Sequence, residues 1–163
     1  MLFLEKIDFG NKQLYNYMGK KNKILRTDFL VEESKIIQDN IKRMSSNSFL
    51  IKGWTITLFS GILLFTDSSR QIMLFMIIPI ILFWYIDAYF LRQERLFREI
   101  YNWVIENRLK TDAFLFDLNT NRFKDKVAST IRLVFSKSLF LFYITMLFMI
   151  IIIWVLSYYK LIS

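Results

Sequence analysis

The chain has 163 residues, 55% of them hydrophobic and 18% aromatic, while Gly and Pro together supply only five. So little turn-forming material points to an all-α chain. Seventeen Phe and a mean hydropathy of +0.35 exceed what a soluble domain of this size buries, which directs the excess to lipid. Cys and His are absent, which excludes disulfides, thiol and imidazole catalysis and the usual zinc ligands, so no catalytic residue, metal or cofactor is expected.

Residues 1–48 read as a cytoplasmic N-terminal helical region, charged throughout and without the apolar run and cleavage site of a signal peptide. Its first part, "MLFLEKIDFGNKQLYNYMG" followed by "KKNKILR", fits a membrane-surface anchor, or a movable element that plugs an oligomeric channel. From Thr27 the pattern predicts an amphipathic helix with Thr27 or Asp28 as its cap and Leu30, Ile37, Ile41 and Met44 on one face. The stretch "SSNS" then leads into the membrane.

Three stretches are long and apolar enough to span a bilayer, for which about 20 residues are needed: 49–66, 71–91 and 138–158. In the first, Gly53, Thr57, Ser60 and Gly61 form a face of small and hydroxyl residues. That face serves packing within the chain, a subunit interface or the wall of a water-filled path. The second contains Asp87, expensive at bilayer depth unless it turns toward protein. Lys52, three residues into the first span, is level with it if the two helices run antiparallel. The pair then fastens two helices or serves function, unless each charge snorkels to the headgroups. Three helices are few for a pore within one subunit, so conduction would need an oligomer.

Residues 92–137 read as a cytoplasmic stalk and hairpin. The second span continues as a helix to roughly Leu109, with Asp87, Glu94 and Tyr101 on one face and with Glu94–Arg98 and Arg95–Glu99 as i,i+4 pairs. Turn chemistry falls at Asp117 to Asn121, Phe114 and Phe116 are expected to pin the loop, and the third helix is expected to begin near Lys124.

Lys and Arg set the orientation. Nine fall within 1–48 and ten within 92–137, against three elsewhere, so both regions are expected on the cytoplasmic side of the membrane, with the turn "TDSSR" and the C-terminus outside. Lipid attraction accounts for these charges. So does a polyanion held on a basic collar of Lys42, Arg43, Arg92, Arg95 and Arg98, with Phe97, Tyr101 and Trp103 interleaved for bases to stack on. Lys20, Lys21, Lys23 and Arg26 lie beside Tyr15 and Tyr17 in the same manner.

Two blocks, "RMSSNSFLIKGWTITLF" (43–59) and "PIILFWYIDAYFLRQERLFREIY" (79–101), resemble a family of small bacterial membrane proteins. Its members bear R-M-x-x-N-S-F-x-x-K-G-W and D-x-Y-x-L-x-x-E-R-x-[FY]-R-x-L-Y segments. Ile100 stands where that pattern has leucine, and residues 1–26 carry no motif. The family includes the membrane-channel effectors of Hailong anti-phage systems. The resemblance implies a homo-oligomeric, tetrameric ion channel held closed by short single-stranded DNA made by a partner nucleotidyltransferase. Loss of that ligand during infection would open it and depolarise the cell. A non-conducting scaffold that recruits a cytoplasmic partner is the alternative; a membrane enzyme is disfavoured, as no carboxylate pair or phosphate loop appears.

Overall fold

In the computed structural model, which describes residues 2–63, 75 and 77–159, every regular element is helical. The end of the first expected span, 64–66, the expected turn at 66–70 and the start of the second expected span, 71–74 and 76, lie outside the described residues, as do the side chains of 2–18, 21, 22, 62, 63, 157 and 158. Helix α1 runs over Leu2–Leu63 and α2 over Ile77–Asn107; a 3₁₀ turn, Thr120–Phe123, and the five-residue α3, Thr130–Val134, precede α4, Lys137–Tyr158.

Continuity of α1 corrects the expected start at Thr27. Rather than capping a helix, Thr27 Oγ1 donates to the carbonyl of Lys23 at 2.9 Å, within the helix. No Gly or Pro falls between Gly19 and Gly53, so nothing breaks the ladder, and "SSNS" is helical too. At 1.5 Å per residue α1 is about 93 Å long.

Helices α1 and α2 form an antiparallel pair. As the position on α1 falls from Lys52 through Gln38 and Glu33 to Arg26, its partner rises from Asp87 through Tyr101 and Arg108 to Asp112. Ile37 packs with Leu96, Ile100 and Val104, and Leu30 and Ile41 flank it on the same stripe. Each fully buried aliphatic residue there contributes about 1.5–3 kcal/mol.

The loop after α2 departs from expectation in two ways. Phe114 and Phe116 do touch the helices, edge-on to Trp103 at 5.7 Å and to Phe29 at 6.2 Å, but both remain about half exposed, at 52% and 42%, and the residues that enter the α1–α2 core are Phe123 and Val127. And the chain does not run as helix from Lys124. It turns at 124–126, forms α3 with Ser129 as cap, breaks at Phe135 and Ser136, and only then starts α4. The Trp84 Nε1–H donates to Val134 O at 3.0 Å, so a carbonyl left open by the break keeps a partner. The Asx turns at Asp117 and Asn119 do form, each side chain accepting the amide two residues on.

Helix α4 packs antiparallel on α2, with Tyr143 near Phe83 and Asp87 and Ile150 in the cluster around Ile80. Among the described residues one stretch, Lys137–Leu156, is long and apolar enough to cross a membrane. Whole α4 is about 33 Å long, close to the roughly 30 Å of a bilayer's hydrocarbon. Large apolar side chains stay exposed at this end of the molecule on all three long helices: Phe49 and Trp54, Ile78 and Leu82, Leu141 and Phe148. The opposite end is charged.

Candidate functional site

At the foot of the apolar end, Asp87 joins three helices. Lys52 Nζ on α1 lies 2.6 Å from its Oδ2, and the Tyr143 hydroxyl on α4 donates to the same oxygen at 3.1 Å. Ser48 donates to Oδ1, and Lys52 donates to Ser48 Oγ at 2.9 Å. The carboxylate is fully buried, whereas the lysine keeps a quarter of its side chain exposed. Thr55, one turn above Lys52 on average, is also buried and donates to Ile51 O at 2.8 Å. Lys52 and Asp87 are thus together as the antiparallel register required. Ser48 and Tyr143 complete the set. Their signals were present in the sequence: Ser48 is one helical turn from Lys52, and Tyr143 is a polar tip in an apolar run.

Among the described residues, no other element packs on the small-residue face of α1. Gly53, Thr57 and Ser60 are exposed and Gly61 partly so, and a Cβ added at Gly53 or Gly61 would meet no atom within 4 Å. Packing within the chain is therefore not what this face does among the described residues.

The five collar cations do not form one patch. Lys42 and Arg98 line a groove of about 900 Å³ between α1 and α2, together with Ser45, Ser46, Phe49 and Tyr101. Arg95 and Arg98 line a neighbouring hollow of about 260 Å³ with Glu99 and Lys126. Arg92 instead ties α2 to the loop, donating through Nε to Ala128 O at 3.2 Å, and Arg43 bonds Asn40 on its own helix at 2.7 Å. The Glu94–Arg98 pair forms at 2.7 Å; Arg95 and Glu99 form no ion pair, consistent with the few tenths of a kcal/mol available to exposed i,i+4 charges. Of the aromatic residues between the arginines, Tyr101 borders the groove and accepts from Gln38 at 3.2 Å, Phe97 packs on the core, and Trp103 meets Phe114 edge-on at 5.7 Å. Among the N-terminal basic residues, Arg26 is held by Asp112 at 3.2 Å and by Leu109 O at 3.3 Å, while Lys20 and Lys23 are exposed.

The charged end holds one arrangement with no local signal in the sequence. Arg108, fully buried, meets Glu33 through Nε at 2.6 Å and through its second terminal nitrogen at 2.8 Å. Its guanidinium also donates to Thr111 O, Ala113 O and Phe114 O at 3.1, 2.9 and 3.2 Å. Those five bonds match the five N–H groups an arginine owns. Glu33 accepts in turn from the Phe116 amide at 3.0 Å. The loop so held carries two non-glycine residues at positive φ, Phe114 at 56° and Phe116 at 55°. Arg122 lies over the Phe114 ring at 3.6 Å and near Trp103 at 4.8 Å, closing the loop's outer side.

Compared with known proteins, the chain matches no family model, no curated protein and no solved structure.

Proposed function

We propose that the chain is the subunit of a homo-oligomeric, tetrameric ion channel of the bacterial inner membrane, an effector of anti-phage defence that short single-stranded DNA holds closed. Each subunit spans the membrane three times, with the N-terminus in the cytoplasm and the C-terminus outside, and a partner nucleotidyltransferase supplies the ligand. Loss of the ligand opens the channel and depolarises the cell.

The observation that carries conduction is the face of Gly53, Thr57, Ser60 and Gly61 at the apolar end of α1, on which no other element packs among the described residues. Hydroxyls and small residues exposed beside large apolar side chains suit close contact with a second copy or the wall of an aqueous path better than contact with lipid. Support for an anionic ligand is the hollow of Arg95, Arg98 and Lys126, where three cations outnumber Glu99 in the lining and the Glu94 paired with Arg98. The resemblance of residues 43–59 and 79–101 supplies the defence context and the identity of the ligand.

A scaffold remains the second reading because α1 continues for about 36 Å beyond Arg26, long enough to present a recruiting surface. Ion flux through liposomes containing the purified protein separates the two. A channel passes ions above the empty-vesicle rate, and a scaffold leaves that rate unchanged. Reporter fusions at both termini test the topology, which a cytoplasmic C-terminus would exclude.

A further inference from the structure

We propose that the groove between α1 and α2 is a binding site for the headgroup of an anionic phospholipid, with Lys42 as its principal cation. The proposal rests on the membrane reading above, but not on conduction or gating.

The chemistry of the lining is that of a phosphate site. Lys42, Arg98, Ser45, Ser46 and Tyr101 supply charged and neutral donors, and no carboxylate lines the groove. Arg98 shares its charge with Glu94, but Lys42 has no ion-pair partner among the described residues, and the Ser45 and Ser46 hydroxyls make no hydrogen bond there. A lysine ammonium with flanking hydroxyls binds phosphate as a point charge with adaptable donors. At about 900 Å³ the groove lies within the roughly 300–1,000 Å³ of small-molecule sites.

Position selects a lipid over a soluble anion. Phe49 closes one end of the groove, is 76% exposed, and stands one residue from Ser48, which bonds Asp87 at the foot of the apolar zone. Lys42 lies seven residues away, about 10 Å along the helix. The headgroup layer adds roughly 5–8 Å to each side of the hydrocarbon, so a flexible lysine below it reaches a headgroup whose acyl chains lie against Phe49. Ile41 adds apolar contact within the groove.

The test uses full-length, delipidated protein in neutral detergent, titrated with dioctanoyl phosphatidylglycerol, dioctanoyl phosphatidylcholine or inorganic phosphate, with bound molecules counted by native mass spectrometry. The expected result is saturable binding of one phosphatidylglycerol per protomer, at least about tenfold tighter than phosphatidylcholine, with phosphate alone much weaker. Lys42→Gln should weaken it about tenfold, whereas Arg132→Gln, which removes an exposed cation outside the groove, should change it less than about twofold. Circular dichroism of both variants confirms that the helices are intact. Equal losses in the two variants would mean diffuse attraction and overturn the site. Equal affinity for both lipids, phosphate binding as tightly as phosphatidylglycerol, or a deoxyoligonucleotide that occupies the groove while phosphatidylglycerol does not, would overturn it as well. Co-sedimentation with phosphatidylcholine vesicles reads insertion separately: insertion without selective binding removes this site alone, and failure to insert removes the membrane reading.

Discussion

Replacing Arg108 by Met removes five N–H donors from a position with no access to water. Glu33, only 1% exposed, then keeps the Phe116 amide as its sole partner, and the carbonyls of Thr111, Ala113 and Phe114 lose the donor that gathers them. Breaking a buried ion pair from one side costs about 3–5 kcal/mol, well above the 0.2–1 kcal/mol typical of an exposed pair. Loop conformation should relax at the same time, because non-glycine residues at positive φ store roughly 1–3 kcal/mol each and persist only where the surroundings hold them. Urea unfolding in detergent measures the first effect. Hydrogen exchange over 109–118 measures the second, with protection expected to fall in Arg108→Met while that of 94–104 is retained. Glu33→Met combined with Arg108→Met should recover much of the loss, since an apolar pair leaves no buried charge behind. A single substitution that shifts stability by less than about 1 kcal/mol, or a double variant as unstable as the sum of both singles, would refute the reasoning.

Asp87→Ala removes the ion-pair partner of Lys52 and leaves Ser48 with Lys52 and Tyr143 with the carbonyl of Phe83, so it should lower thermal stability in detergent, by less than the roughly 3–5 kcal/mol of a fully buried pair because Lys52 is a quarter exposed; exchanging the two charges should restore part of it, and a swap no better than either single variant would contradict the pairing. A Cβ at Gly53 meets no atom among the described residues within 4 Å, so in Gly53→Leu the monomer's helicity should be unchanged while cross-linked oligomers are lost; intact oligomers would show that this face is turned to lipid.

The elements that local pattern describes were legible. Apolar spacing at Leu30, Ile37 and Ile41 marked the face α1 turns to α2, and the absence of Gly or Pro after Pro79, which lies in its first turn, carried α2 from the apolar zone to Asn107. Lys52 and Asp87 could be matched because a charge set in an apolar run needs a partner and antiparallel helices allow only a narrow range of levels. Glu33 and Arg108 lie 75 positions apart in water-facing sequence, where a charge ordinarily needs no partner, so nothing local distinguished them from solvated neighbours. Thr27 and Asp28 looked like a cap because caps are read from residue type, but a cap forms only where the ladder stops, and here nothing stops it. The break at Phe135 and Ser136 has neither Gly nor Pro to announce it and is recognised through Trp84, which bonds the carbonyl of Val134. Of the collar residues, charge and spacing gave the types but not the sharing: Arg98 borders both hollows, while Arg92 is occupied by a backbone carbonyl.

Gating is the central claim, and flux under ligand digestion tests it most directly. Liposomes containing the purified protein are loaded with a fluorescent ion reporter and given short deoxyoligonucleotides, and an exonuclease is then added. Flux should be low with the oligonucleotide present and should rise as it is digested, with the oligonucleotide's affinity falling steeply as salt increases and less steeply in Arg95→Gln and Arg98→Gln. Flux that ignores both the oligonucleotide and its digestion, or binding no stronger than to an unrelated basic membrane protein, would contradict the account.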